Sequence, residues 1–302
     1  MRHFYLLITQ LFFVLVAQGQ GCSDAGFCTL NGFKPDVEDS TDTDYKNYIS
    51  AGISKGLADH EITILSAYLE YHRQVSEKVG IDAKLTGINQ TDAYLSTTGF
   101  SDLYLNTSYI FIKNTTALLG VKIPLHDGNK QSTEDLSLPM DYQASLGTFD
   151  LIAGLKYEIK KLSITIGLQQ PLTQNNNHYL SEKYPIDSPF KNFQSTNNYI
   201  RSGDALLRLT YPIKITKRFI ISPSALSIYH LREDRFIDIN GADQSIKGSE
   251  GLTFNGTIYF DYAISKSNSI NLNMGKPFIT RKVRPDGLTR EYIITLEYKF
   301  KF

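Results

Sequence analysis

Along most of the chain, apolar and polar residues alternate with a period of two. The pattern is cleanest over residues 291–302, EYIITLEYKFKF. Tyr292, Ile294, Leu296, Tyr298, Phe300 and Phe302 fall on one side, and Glu291, Ile293, Thr295, Glu297, Lys299 and Lys301 on the other. Successive side chains of a strand point to opposite faces, so this segment predicts a strand with one apolar face and one mostly charged face. The same alternation predicts strands over 79–86, 149–158, 161–169, 204–213, 250–264 and 269–275. Weaker versions over 45–55, 61–71, 101–112, 115–124 and 217–229 bring the number to about twelve. Pro223, inside the last of these, predicts a bulge or an imperfect ladder.

The links between these segments alternate in length. HRQVSE, KNTT, Lys160-Lys161, PIKITK and SKSN are short. The other set, at about 88–100, 125–148, 170–200, 230–248 and 276–290, is longer, and only its first member, LADHE at 57–61, is short. An up-and-down barrel gathers one kind of link at each end, and membrane-spanning barrels have short periplasmic turns and longer outer loops. A stacked sandwich has no reason to sort its loops in this way.

Polarity decides which way the strands face. Opposite the apolar stripes stand Asp82, Lys84, Lys156, Glu158, Asp204, Arg208, Asp261, Glu297 and Lys299. Burying unpaired charges in a dry core costs on the order of several kcal/mol each. In a water-filled lumen most of that cost vanishes, and twelve strands enclose more than one layer of side chains can fill. The expectation is therefore an all-β chain: a transmembrane antiparallel up-and-down β-barrel over 44–302, with these nine residues facing the lumen. A soluble β protein, the competing reading, puts the apolar stripes inside.

Composition narrows the function. Among 302 residues, 31 Lys plus Arg balance 31 Asp plus Glu, which argues against a nucleic-acid partner. A mean hydropathy of −0.23 excludes a helical membrane bundle. The chain has 19 Tyr, which suit the belts where a membrane meets water. Residues 1–20, MRHFYLLITQLFFVLVAQGQ, read as a secretory signal peptide, with Arg2 ahead of an apolar run from Phe4 to Ala17. Residues 21–43 are polar and acidic, without periodicity, and are either a flexible leader or a small plug. Export favours a local disulfide between Cys22 and Cys28. The expected location is the cell outer membrane, among its lipid and lipopolysaccharide.

The C-terminal residues Ile294, Leu296, Tyr298, Phe300 and Phe302 resemble, position by position, the last strand of bacterial outer-membrane proteins. That resemblance implies recognition by the barrel-assembly machinery. Residues 147–169 and 270–300 resemble the meta-pathway phenol degradation family of transporter-like outer-membrane proteins, relatives of the long-chain fatty-acid transporters. Gly147, Thr148, Phe149 and Asp150 match its glycine-threonine-x-aspartate strand entry, and Gly287 with Glu291 to Phe300 match its last hairpin. This likeness implies a barrel that passes small hydrophobic solutes. The chain departs from the fatty-acid transporters in having about twelve strands rather than fourteen, and a leader short for their plug.

In a channel, lumen charges set selectivity, and mixed signs predict that it is weak. The same charges could simply pair across the lumen and fill it. An enzyme of this architecture needs a serine beside a histidine. His60, His72, His126, His178 and His230 lie at predicted strand ends or in loops, and no G-x-S-x-G elbow is present. No catalytic residue, cofactor or metal is expected. His126 with Asp127, and His230 with Glu233 and Asp234, read as solvated loop residues. The expected function is a channel or transporter-like protein for small solutes. A non-conducting structural or adhesion barrel presenting long outer loops is the alternative, and the solute is unidentified.

Overall fold

The computed structural model describes residues 30–34, 45–287 and 291–302. The signal peptide, both cysteines and the remainder of the leader lie outside these residues.

Twelve strands form the wall: β1 (Asn47–Leu57), β2 (Thr63–Gln74), β3 (Val79–Thr91), β4 (Ser96–Ile112), β5 (Thr115–Pro124), β6 (Asp150–Ile159), β7 (Leu162–Pro171), β8 (Asp204–Thr210), β9 (Phe219–His230), β10 (Gly251–Ala263), β11 (Asn268–Ile279) and β12 (Tyr292–Lys301). Each pairs antiparallel with its sequence neighbour, and β12 pairs back onto β1, from Tyr48 opposite Lys301 to Leu57 opposite Tyr292. The sheet is therefore closed. In hydrocarbon no water can satisfy a free sheet edge, so closure is what lets such a sheet span a membrane.

The outer face is the apolar one. Ile53, Leu69, Leu119 and Leu296 are 62%, 56%, 58% and 48% exposed, whereas their inward neighbours Gly52, Glu70, Gly120 and Glu297 are buried. Polarity is thus inverted relative to a soluble barrel, and the apolar stripes face outward along most of the strands. Tyr292, Ile294, Leu296, Tyr298, Phe300 and Phe302 all stand on this face.

Two expectations are corrected. The segment 88–100 is a hairpin, not a long loop: β3 runs to Thr91, β4 starts at Ser96, and Asp92 N–H donates to the Leu95 carbonyl. Its residues are polar because this hairpin stands beyond the apolar band. Asn89 donates across it to Ser96 and Thr98, so polar side chains hold the ladder there. The lumen is also less wet than the charges suggest. Ile152 and Leu206, apolar exceptions on the polar stripes of β6 and β8, pack inward with Leu118, Leu226 and Ile228 around Leu30 and Phe33. Pro223 does mark an imperfect ladder. Below it, β9 pairs with a two-residue piece, Ile213–Lys214, set off from β8 by Tyr211 and Pro212.

A charge at mid-depth on the outer face tests this placement. Leu69→Arg or Leu296→Arg should each lower the unfolding free energy in phospholipid vesicles by about 2–4 kcal/mol. Urea titration after refolding is the measurement.

Candidate functional site

Residues 30–34 lie inside the barrel and gather side chains from across it. Lys34 Nζ stands 3.3 Å from Glu70 Oε2 on β2 and 3.1 Å from Glu297 Oε2 on β12. Asn31 Nδ2 donates to Asp82 Oδ1 on β3 at 3.0 Å. The Phe33 carbonyl accepts from Arg208 on β8 at 2.5 Å. The Phe33 ring rests on the bare backbone of Gly154, where a Cβ would come within 2.6 Å of it. Five strands spread around the wall thus meet one short segment.

The other inward charges are distributed along the lumen. Asp82 also contacts His72 Nδ1 at 2.6 Å, and that ring stacks on Tyr48 at 4.7 Å. Lys84 and Lys299 lie over the rings of Tyr68 and Tyr48, at 4.2 and 4.5 Å. Glu297 accepts from the Tyr68 hydroxyl. Asp261 accepts from Asn271 at 2.6 Å. Lys156 reaches Glu158 at 3.4 Å near the short-turn rim, where Glu158 is exposed.

Sequence reasoning did not single out Glu70, Tyr68, Asp102 or Lys122. Lys122 is fully buried on β5, 3.1 Å from Asp150 and 2.9 Å from the Thr148 hydroxyl. The glycine-threonine-x-aspartate entry to β6 is therefore the cradle of a lysine. Gly147 makes the turn at φ +68°, and a Cβ there would sit 2.3 Å from the Asp127 carbonyl oxygen. Lys122 was legible in principle: Leu118, Gly120 and Lys122 alternate with Ala117, Leu119, Val121 and Ile123.

At the long-loop end the mouth is folded over. Loop residues Leu138, Tyr142, Tyr179, Tyr184 and Phe193 form an apolar cluster with Ile62 and Ile64. Burial pushes the Tyr184 hydroxyl up to about 12, so it remains a neutral donor to the Ser137 carbonyl at 2.9 Å. Beside this cluster runs a charged network. Arg201 contacts Asp204 at 2.5 Å and Asp286 at 3.6 Å, and Arg281 contacts Asp286 at 2.8 Å. His230 sits between Asp204 and Asp234, at 2.7 and 2.8 Å, and the Tyr199 hydroxyl donates to Asp234 at 2.8 Å. His230 and Asp234 are thus not solvated, as their sequence context suggested, but buried struts joining the loops 172–203 and 231–250 to the start of β8. His126 and Asp127 do stand at the surface, 3.3 Å apart. Among the described residues no cluster of His, Cys, Asp and Glu has the form of a metal site.

Between the segment 30–34 and the loop 139–146 lies a chamber of about 210 Å³. Tyr68, Lys84, Tyr104 and Tyr259 line its wall, with Lys34 at one end and Met140, Gln143 and Ser145 at the other. Gln169 Oε1 and Asp286 Oδ1, both on residues lining it, have no hydrogen-bond partner among the described residues. The roof is tied to the wall: Gln90 donates to the Gln143 carbonyl at 2.7 Å, and Ser145 to Asp102 at 2.6 Å.

No family model and no curated protein matches the sequence. Solved structures do share the fold. The COG4313 outer membrane channel from Pseudomonas putida F1 superposes with a TM-score of 0.57 at 11% identity, covering 89% of this chain and 99% of that one. KdgM porin gives 0.43 at 7% identity, over 84% and 99%. A Pseudomonas aeruginosa FadL homologue gives 0.42 at 8%, over 85% and 76%. The first likeness is one of fold: a closed antiparallel barrel like that of the outer membrane channel. The resemblance at Gly147 to Asp150 and in the last hairpin rests on those residues alone.

Two outcomes test the folded mouth. Arg201→Met leaves Asp204 and Asp286 short of a buried counter-charge, a change that costs about 3–5 kcal/mol in comparable sites. The loops 172–203 and 280–287 should then become protease-sensitive while the wall stays resistant, as limited proteolysis would show. The second outcome concerns pH. Burial opposes the charge on Asp286, but Arg281 and Arg201 outweigh it and hold the carboxyl well below its usual range. A group lowered on folding stabilises fully above its unfolded value, roughly 4, and that contribution fades as pH falls below it. Hydrogen exchange at 281–287, corrected for its intrinsic pH dependence, should stay slow from pH 7 to about 5 and accelerate in stronger acid.

Proposed function

We propose that this barrel is an outer-membrane channel for small solutes, with the leader 21–43 as its inner plug and the loop 139–146 as its outer lid. The observation that carries this reading is the chamber between Lys34 and Met140, lined at either end by residues of segments that are not part of the wall. A plug held by a few ion pairs and one aromatic ring is removable without breaking the sheet. Phe33 buries its ring among Leu118, Ile152 and Leu206, and Lys34 is the one cation bridging Glu70 and Glu297 in the hydrogen bonds described. The wall is independent of both contacts, because its own ladder is closed.

The chamber combines aromatic rings, an apolar band and a few cations. With the resemblance to the phenol-degradation family, this favours a small solute with an apolar body. Mixed lumen charges support weak ion selectivity, set by Asp82, Lys84, Arg208 and Glu297 among others. The packed outer loops favour the second reading, a closed barrel that presents surface and conducts nothing.

Planar-bilayer recording separates the two. The wild-type chain should show small or brief openings, and the double variant F33A/K34Q should raise the mean conductance several-fold. If neither chain conducts, with folding verified by heat-modifiable gel mobility, the closed-barrel reading takes its place.

A further inference from the structure

The outside of the barrel is as polarised as its inside. The six strands that run toward the short turns each carry an outward tyrosine near that end: Tyr71, Tyr109, Tyr157, Tyr211, Tyr262 and Tyr298, all exposed, Tyr211 immediately following β8. Together they ring the barrel at one level. Amphipathic rings at such a level mark the boundary between hydrocarbon and headgroups.

Just beyond that ring, every short turn carries exposed cations. Arg73 and Lys78 flank the β2–β3 turn, Lys113 the β4–β5 turn and Lys160 with Lys161 the β6–β7 turn. Lys214, Lys217 and Arg218 occupy the β8–β9 link and Lys266 the β10–β11 turn, while Lys46 stands at the seam between β12 and β1. Against these ten, the exposed acids among the described residues at this end are Glu77 and Glu158, and Glu158 is already engaged by Lys156 at 3.4 Å. The opposite end has the other balance. The described residues of 58–62, 92–95, 125–149, 172–203, 231–250, 280–287 and 291 hold sixteen acidic and ten basic side chains.

The spacing gives the depth. Arg73 follows its tyrosine by two residues, Lys160 and Lys214 follow theirs by three, and Lys113 and Lys266 by four. At about 3.4 Å per residue the cations stand roughly 7–14 Å further along the strand direction, less by the strand tilt. That is the level of lipid phosphates outside an aromatic belt. Long, flexible lysine and arginine side chains at such a level extend toward phosphate while their stems lie on apolar surface.

We propose that this collar binds the phosphate headgroups of anionic glycerophospholipids in the leaflet at the short-turn end, holding a shell of phosphatidylglycerol-like lipid around the barrel. Five turns and the seam all contribute, so the attraction is continuous around the circumference rather than a single pocket. It depends on exposed charge and is therefore salt-sensitive.

The test uses the full chain refolded into phosphatidylcholine vesicles carrying a trace of spin-labelled phosphatidylglycerol or phosphatidylcholine. The motionally restricted fraction gives the relative affinity of the barrel's lipid shell. The wild-type chain should prefer phosphatidylglycerol by about two-fold or more at low salt, and lose that preference at high salt. K160Q/K161Q combined with K214Q/K217Q/R218Q should bring the ratio close to unity. K183Q/R232Q/K247Q, at the other end, should leave it unchanged. Heat-modifiable mobility verifies that each variant is folded. Equal affinity for the two lipids in the wild-type chain, or an undiminished preference in the five-site variant, would overturn the proposal. So would binding to purified peptidoglycan that depends on the same five cations while lipid preference does not, because the collar would then serve a different partner.

Discussion

Everything in this molecule rests on a barrel wall that leaves no strand edge open. The ladder between β1 and β12 joins the first and last strands of the wall, and it makes the apolar stripes tolerable on the outside. A sheet of this composition in water would expose Leu69, Leu119 and Leu296 at great cost. A sheet with an open edge in lipid would leave a row of peptide groups unsatisfied. Closure and inverted polarity are therefore one constraint seen from two sides.

Once the wall is self-sufficient, the interior is released from the duty of supplying a core. It can carry charges that a small soluble domain would not keep. Those charges are used as ties: Lys34 and Arg208 to the segment 30–34, Lys122 to the entry of β6, Arg201 and Arg281 to the loops. The first two join the segment 30–34 to β2, β12 and β8, whereas Lys122 joins β5 to β6 and the arginines join loop residues to one another and to β8. Removing Lys34 or Arg208 should loosen the segment 30–34 long before it alters the sheet.

The wall was legible in the sequence because its signal is local. Two-residue alternation needs no knowledge of distant contacts. Ile152 and Leu206 stood on the polar stripe as unexplained exceptions, since their partners Leu30 and Phe33 come from a segment with no periodicity of its own. The hairpin around Asp92 was hidden for a related reason. Beyond the lipid, both faces of a strand are polar, and the alternation that marks a strand disappears. His230 and Asp234 read as loop residues because their partners Tyr199, Ser202 and Asp204 come from the preceding loop and the start of β8. What the sequence concealed was everything built by long-range contact between irregular segments.

The outward orientation of the apolar stripe is the central claim, and it has a direct measurement. The chain contains no tryptophan, so a single introduced one reports without background. Leu296→Trp on the outer face and Tyr104→Trp on the inner face, each refolded into vesicles with brominated acyl chains, should differ sharply. Strong quenching at position 296 and little at 104 is the predicted result. Quenching at 104 with protection at 296 would mean the stripe faces inward, and would contradict the account.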